Sequence, residues 1–263
     1  YGGRFCRNSF ITSLMIRFMD ITWVFFVLLF VVAFLYASVG HGGASGYLAL
    51  MAMYGMAPEV MKPTALLLNL FVSIISFIQF YRGGYFKWKL FVPLALASVP
   101  MAYLGGLISI DMVLYKKLLG LLLLIPVVRF LFFKNTEGAV NKESNLAMCL
   151  LIGAVIGFLS GLIGIGGGII LSPLLLLLRW TDMKQTAAIS ALFIFVNSLS
   201  GLAGQLYKGI HFSGDMYLYV AIAFLGGLIG AYVGALKIKT TILTYLLGLV
   251  LLIAAYKLLF TTA

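Results

Sequence analysis

The stretch that decides the fold is residues 144–178, SNLAMCLLIGAVIGFLSGLIGIGGGIILSPLLLLL. It contains no Asp, Glu, Lys or Arg, and it is longer than the roughly 20 residues that a helix needs to cross the hydrocarbon core of a bilayer. It is interrupted by the cluster Gly164-Ile165-Gly166-Gly167-Gly168. The stretch therefore predicts a membrane helix, a break at the glycines and a second helix that is too short to span.

The composition of the whole chain predicts a membrane protein as well. Hydrophobic residues make up 63% of the 263 residues and charged residues 10%, whereas a soluble domain has roughly 45–50% apolar and about 25% charged residues. Too few polar side chains are present to cover a water-facing particle of this size. A soluble globular domain, a disordered chain and a collagen are excluded by the same numbers.

Further uncharged runs divide the chain into two similar parts. We assign residues 1–20 to an N-terminal extension, 21–133 to a first transmembrane repeat, 134–144 to a polar linker and 145–263 to a second transmembrane repeat. The long run at the start of the first repeat is also broken by glycines, at Gly40-His41-Gly42-Gly43.

Three ordered blocks of sequence support an internal repeat. Gly40, Gly42 and Gly43 match Gly164, Gly166 and Gly167 at an offset of 124, residues 79–83 match 205–209 at 126, and residues 118–121 match 246–249 at 128. Each repeat holds about five helical elements and crosses the membrane an odd number of times, so the second lies inverted relative to the first. The predicted fold is an all-α integral membrane protein with two inverted repeats and broken or re-entrant helices at the glycine clusters.

The two breaks are candidates for an anion site. A helix that begins inside the membrane presents free N–H groups and the positive end of its dipole, and glycine lets an anion approach those groups. The alternative is that the glycines only let helices pack closely, and for isolated pairs such as Gly105-Gly106 we favour it. The glycines of the candidate site are Gly40, Gly42, Gly43, Gly164, Gly166, Gly167 and Gly168.

Polar side chains within the spans complete the candidate substrate-binding set. They are His41, Thr64, Ser190, Asn69, Asn197, Gln79 and Gln205. Asn and Gln are costly to bury and either contact substrate or join helices. His41 either takes part in proton transfer or is simply hydrogen-bonded. No Asp or Glu lies in the middle of a span, which argues against a carboxylate proton relay.

Other function classes find little support. The net charge of +11 is typical of loops that face anionic headgroups, so we expect the bilayer and a small anion as partners, and no nucleic acid. Cys6 and Cys149 form no metal-ligand or disulfide pattern. A P-loop, a Ser/His/Asp set and an H-E-x-x-H motif are absent from the sequence. We therefore expect no enzyme activity, no metal and no cofactor.

The repeated motifs resemble those of the TauE/SafE family of sulfite exporters and sulfonate permeases. In each half the glycine cluster is followed by a short helix, then by Pro63-Thr64-Ala65 or residues 188–191, and then by Gln-x-Tyr-[Arg/Lys]-Gly. The resemblance covers roughly residues 20–260. It implies a multi-pass carrier for sulfur-containing anions in a prokaryotic cell (inner) membrane. Ala44 stands where the second cluster has Gly168, so the two halves of a site would differ.

The sequence thus predicts a secondary transporter that moves a small sulfur-containing anion, such as sulfite or an organosulfonate, by alternating access. An anion channel built on the same breaks and a non-transporting membrane anchor subunit are the alternatives. The identity of the anion, the direction of transport, the coupling ion, the membrane orientation and the presence of a homo-oligomer are left open by the sequence.

Overall fold

The computed structural model describes residues 23–37, 43–132, 144–210, 214–236, 249, 251–253 and 255–260. Every regular element in these ranges is an α-helix, as predicted. The helices are α1 Trp23–Ala37, α2 Ala44–Met53, α3 Pro58–Arg82, α4 Trp88–Leu107, α5 Met112–Phe132, α6 Leu146–Ile163, α7 Gly168–Leu177, α8 Met183–Tyr207, α9 Gly214–Leu236 and α10 Leu251–Phe260. The predicted N-terminal extension and most of the predicted linker lie outside the described residues.

In the part of the chain that the structure describes, four helices are long and apolar enough to cross a membrane. They are α3, α4, α6 and α8, of 25, 20, 18 and 25 residues. By contrast, α2 and α7 have ten residues each, a length of about 15 Å that covers half the hydrocarbon core. The prediction of short helices behind the glycine clusters is therefore confirmed.

The chain breaks at the second glycine cluster as predicted. Helix α6 ends at Ile163, and Gly164, Gly166 and Gly167 then adopt positive φ angles of 89°, 73° and 79°. L-residues with a Cβ rarely adopt this left-handed region, whereas glycine enters it freely. At the first cluster Gly43 is also left-handed and directly precedes α2. Gly40, His41 and Gly42 lie outside the described residues, so the form of the first break stays a prediction.

Helix α7 turns back toward the start of α6, and it packs mainly against α8 and α5. Gly167, which precedes α7, lies against Ile156. Cys149 near the start of α6 shares one hydrophobic cluster with Leu175 and Trp180 at the end of α7. The first residue of α7 therefore lies beside the middle of α6, about 15 Å along a helix of about 27 Å.

Small residues allow α6 to pack directly on α4. Gly153, Gly157 and Gly161, spaced by four residues, lie against the backbone carbonyls of Leu94, Ser98 and Ala102. The residue numbers of the contacting positions rise together on α6 and α4, so the two helices run parallel. This is the close approach that small-xxx-small patterns allow in membranes.

The Gly105-Gly106 pair of α4 confirms the packing interpretation. Gly105 contacts the carbonyl of Phe158 in α6, and Gly106 contacts that of Gly201 in α8. Helices α4, α6 and α8 thus form one closely packed group.

Helices α3 and α8, the third elements of the two halves, pack against each other. Leu66 contacts Gly201, and the side-chain amide of Asn69 donates to Ser198 over 3.3 Å. The residue number rises on one helix as it falls on the other, so the two helices are antiparallel. Both have 25 residues, and each contact lies near their middle.

We expect Gly157→Ala to destabilise the protein. An added Cβ would collide with the Ser98 backbone, including Cα at 2.6 Å, and backbone cannot move aside as a flexible side chain can. Overpacking of this kind costs about 1–3 kcal/mol. The midpoint of thermal unfolding in detergent, followed by fluorescence-detected size exclusion, measures the effect.

Gly214→Ala is the matched control, because a Cβ there meets nothing within 4 Å. Equal midpoints for the two variants would contradict the close α4–α6 contact.

Candidate functional site

The candidate site lies at the N-terminus of α7. Gly167 is its N-cap, and no side chain caps the helix. The first N–H groups of a helix have no partner within the helix, and here the helix begins beside the middle of α6. The positive end of its dipole therefore lies inside the protein.

A buried amide and a hydroxyl lie directly on this break. A Cβ added to Gly166 would come within 2.6 Å of Asn69 Nδ2 and 3.1 Å of Ser198 Oγ. Both side chains are fully buried. Residue 166 must therefore be glycine for two reasons, its left-handed φ and the absence of room for a side chain. The site brings together α3 of the first half with α7 and α8 of the second.

Several buried polar side-chain atoms have no hydrogen-bond partner among the described residues. They are Asn69 Oδ1, Ser73 Oγ, Ser160 Oγ, Asn197 Oδ1, Tyr47 Oη and both amide atoms of Gln205. Apart from Tyr47, all belong to α3, α6 and α8. A buried polar atom without a partner costs about 1–3 kcal/mol, so these groups have capacity to bind a ligand or water.

The predicted polar residues divide into two groups. Asn69, Asn197 and Gln205 are buried with unpartnered atoms, although Asn197 Nδ2 donates to the carbonyl of Phe193 in its own helix. Thr64 and Ser190 are occupied: Thr64 Oγ1 donates to the carbonyl of Val60 over 2.6 Å, and Ser190 is bonded as described next.

Ser172 ties α7 to α8. Its hydroxyl bonds both the carbonyl of Gly168, over 2.8 Å, and Ser190 Oγ, over 2.9 Å. Ser190 therefore holds the short helix in place. Gln79 is exposed near the end of α3, about 15 Å along the helix from Asn69. Gln79 therefore does not join the buried group, although its sequence counterpart Gln205 does.

The first break has different surroundings from the second. Tyr47, in the first turns of α2, covers Gly43: a Cβ there would meet the phenol oxygen at 2.5 Å. Tyr36 of α1 hydrogen-bonds Ser45 at 2.8 Å. Aromatic side chains thus enclose the N-terminus of α2. At the second break Ile156 and Phe193 pack against Gly167, and an amide and a hydroxyl face Gly166. Gly40, His41 and Gly42 lie outside the described residues.

The predicted set omits Ser73, Ser160 and Ser198, three buried serines near the break. Serine in membrane helices commonly bonds its own backbone, so its presence alone carries little information. The available signal is helical spacing: Ser73 follows Asn69 by four residues, which places both on one face of α3.

These features define a class of protein. The described helices combine apolar exteriors with a buried polar interior at a helix break, which is where membrane proteins tolerate irregular backbone. The chain is a multi-pass membrane protein.

Comparison with known proteins identifies the family. The profile of the sulfite exporter TauE/SafE family matches residues 25–258, and the chain belongs to this family. It is 36% identical over 234 residues to a probable membrane transporter protein of Sinorhizobium fredii, which covers 88% of this chain and 95% of the relative. It is 30% identical over 186 residues to a probable membrane transporter protein of Methanocaldococcus jannaschii, covering 67% and 69%.

A plant protein named as a member of the same family is also similar. Sulfite exporter TauE/SafE family protein 1 of Arabidopsis thaliana is 29% identical over 119 residues, which cover 44% of this chain and 26% of the relative. No solved structure matches the chain.

We expect Asn69→Leu to leave the empty protein at least as stable as the wild type. Leucine has as many side-chain heavy atoms as asparagine. It loses the 3.3 Å hydrogen bond to Ser198, worth about 0.5–1.5 kcal/mol, but removes an acceptor that has no partner among the described residues, which relieves about 1–3 kcal/mol. The thermal unfolding midpoint without substrate measures this effect.

Asn145→Ala is the control, because Asn145 Oδ1 accepts the N–H of Ala147 and caps α6. Loss of that cap costs about 1 kcal/mol. If Asn69→Leu lowered the midpoint more than Asn145→Ala, Asn69 would be a structural residue.

Proposed function

We propose that the protein is a secondary transporter that moves a small sulfur-containing anion by alternating access. The observation that carries the proposal is the uncapped N-terminus of α7, buried beside Asn69 and Ser198. The proposed substrate site is the space between this helix end, α3 and α8.

The chemistry of the site favours an anion. Free N–H groups at a helix N-terminus bind negative groups. The second N–H of the Asn69 and Asn197 amides and the Ser198 hydroxyl hydrogen add donors without charge, whereas the unpartnered Oδ1 atoms are acceptors that bond water rather than the anion. Among the described residues, no Asp or Glu is buried, so no buried carboxylate there repels a negative ligand. Sulfite and sulfonates suit such a site, because their oxygens accept several hydrogen bonds at once. The family, and the sulfite exporter name of its plant member, support a sulfur-containing substrate.

The helix contacts support an inverted arrangement of the two halves. Helices α3 and α8 have equal length and run antiparallel, and α2 and α7 have ten residues each. Two contacts between the halves are also reciprocal. Gly105 of α4 meets the carbonyl of Phe158 in α6, and Gly230 of α9 meets the carbonyl of Phe34 in α1.

Such an arrangement allows one half to rock against the other across α3 and α8. The substrate would then face the two sides of the membrane alternately. Because the substrate carries charge, the membrane potential can drive its export, at about 2.3 kcal/mol per charge per 100 mV.

Purified protein in liposomes should take up radiolabelled sulfite with saturation and show counterflow. We expect Asn69→Leu and Asn197→Leu to slow uptake at least about tenfold, because each removes hydrogen bonds to a charged ligand worth about 1.5–3 kcal/mol each. Side-chain variants are preferable to Gly167→Val, since a Cβ on Gly167 would also press on Ile156 and Phe193.

Asn145→Ala should transport like the wild type, because Asn145 lies exposed at the start of α6. An ohmic current without counterflow would indicate a channel instead of a carrier. If the wild type moved no anion and co-purified with a partner protein, the result would indicate a membrane anchor subunit instead of a carrier or a channel.

A further inference from the structure

We propose that Lys62 is the positively charged residue through which the anion enters and leaves the site on the side where α6 ends. This inference rests on the proposed function and adds a charge-bearing residue to it. Lys62 lies in the second turn of α3 and is only 6% exposed. A lysine at the end of a membrane helix ordinarily extends to water or headgroups, whereas protein covers this one.

Lys62 has no ion-pair partner in the part of the chain that the structure describes. Its ammonium lies 5.1 Å from the centre of the Tyr115 ring. The charged groups that act on it electrostatically are Glu59, one turn earlier, and Lys208, at the end of α8. Glu59 is exposed, and Lys208 repels Lys62. A buried charge without a counter-ion is costly, which is the situation of a site that awaits an anion.

Lys62 adjoins the second break. Its Cα would lie 3.1 Å from a Cβ on Gly164, the residue that ends α6. Tyr115 of α5 donates a 2.9 Å hydrogen bond to the carbonyl of Ile163. The lysine, the tyrosine and the end of α6 therefore form one junction at the entrance to the break.

Lys62 lies on the same face of α3 as two polar residues of the proposed substrate site. Asn69 follows Lys62 by seven residues, two helical turns or about 10 Å along the same face of α3, and Ser73 follows by one more turn. Leu66, which lies between them, packs against Gly201 of α8.

The antiparallel register of α3 and α8 places Gln205 at the level of Lys62. Leu66 meets Gly201, and the residue one turn earlier on α3 faces the residue one turn later on α8. Gln205 is 2% exposed, and both of its amide atoms lack a partner among the described residues. A cation and a free amide therefore occupy the same level of the route, two turns from Asn69. An oxyanion matches both groups.

The test compares sulfite transport by Lys62→Met, Lys62→Arg and Lys184→Met proteins in liposomes. Lys184 is a matched control, since its ammonium also lies over a tyrosine ring, that of Tyr85 at 4.8 Å, but it is exposed at the opposite end of α8. We expect Lys62→Met to raise the half-saturating sulfite concentration at least about tenfold, the effect of losing one charged hydrogen bond. Lys184→Met should stay close to the wild type, and Lys62→Arg, which keeps the positive charge, should lose less affinity than Lys62→Met.

A second experiment distinguishes the effect of the positive charge of Lys62 on transport from its effect on folding. Lys62→Cys is made in a chain with Cys6 and Cys149 replaced by Ala, and is alkylated either with bromoethylamine, which restores an ammonium, or with iodoacetamide, which does not. Mass spectrometry verifies both products. Recovery of sulfite affinity by the first product alone supports the proposal. If Lys62→Met does not reach the membrane, this comparison of the two alkylated products decides the proposal instead.

Three outcomes would overturn the proposal. One is a wild-type half-saturation for Lys62→Met, and another is equal recovery with both alkylating reagents. The third is a role in lipid binding. In that case transport by the wild type would depend on phosphatidylglycerol in the vesicles, transport by Lys62→Met would not, and the two proteins would have the same affinity for sulfite. Failure of the proposed function itself looks different, because the wild-type protein would then transport no anion.

Discussion

The rest of the structure depends on one constraint: a helix that begins inside a membrane must have partners for its first backbone N–H groups. Water is absent from the hydrocarbon core, so irregular backbone occurs there only where protein or a cavity surrounds it. Helix α7 begins beside the middle of α6, after three left-handed glycines and without a side-chain cap. The surrounding helices must therefore enclose this end, and in the proposed site a polar ligand supplies the missing partners.

Close helix packing provides the enclosure. The glycines of α6 bring α4 into backbone contact, and Gly106 of α4 meets Gly201 of α8. Ser172 and Ser190 fix α7 to α8. Glycines thus have two separate roles in this structure. Gly157 and Gly161 let helices approach, whereas Gly166 and Gly167 adopt backbone angles that other residues avoid. Only positions in the second group lie beside the candidate site.

Much of the fold follows from local chemistry that the sequence displays. Long uncharged runs predict the spanning helices, and the second glycine cluster predicts the break between α6 and α7, because both depend on residues adjacent in the chain. The exposure of a given polar residue depends on the neighbouring helices instead. Gln79 and Gln205 match in the predicted sequence repeat, yet one is exposed and the other buried. Lys62 resembles a loop cation in the sequence, whereas in the structure Tyr115 of α5 and the end of α6 lie against it.

The two breaks differ in a way that also required the structure. Tyr47 and Tyr36 are aromatic residues in a chain rich in them, and nothing in their spacing indicates that they enclose the start of α2. The second break, by contrast, combines residues from both halves, Asn69 with Ser198 and Gly166. An anion held there would contact both halves at once, which is the requirement for coupling its binding to their relative motion.

The most direct test of the central claim is anomalous diffraction from crystals grown with selenite, whose selenium marks the position of a sulfite-like anion. We predict a selenium peak between Asn69, Ser198 and the first residue of α7, with the chain broken at residues 164–167. An unbroken helix through residues 160–172, or selenium found only on the protein surface, would contradict the claim.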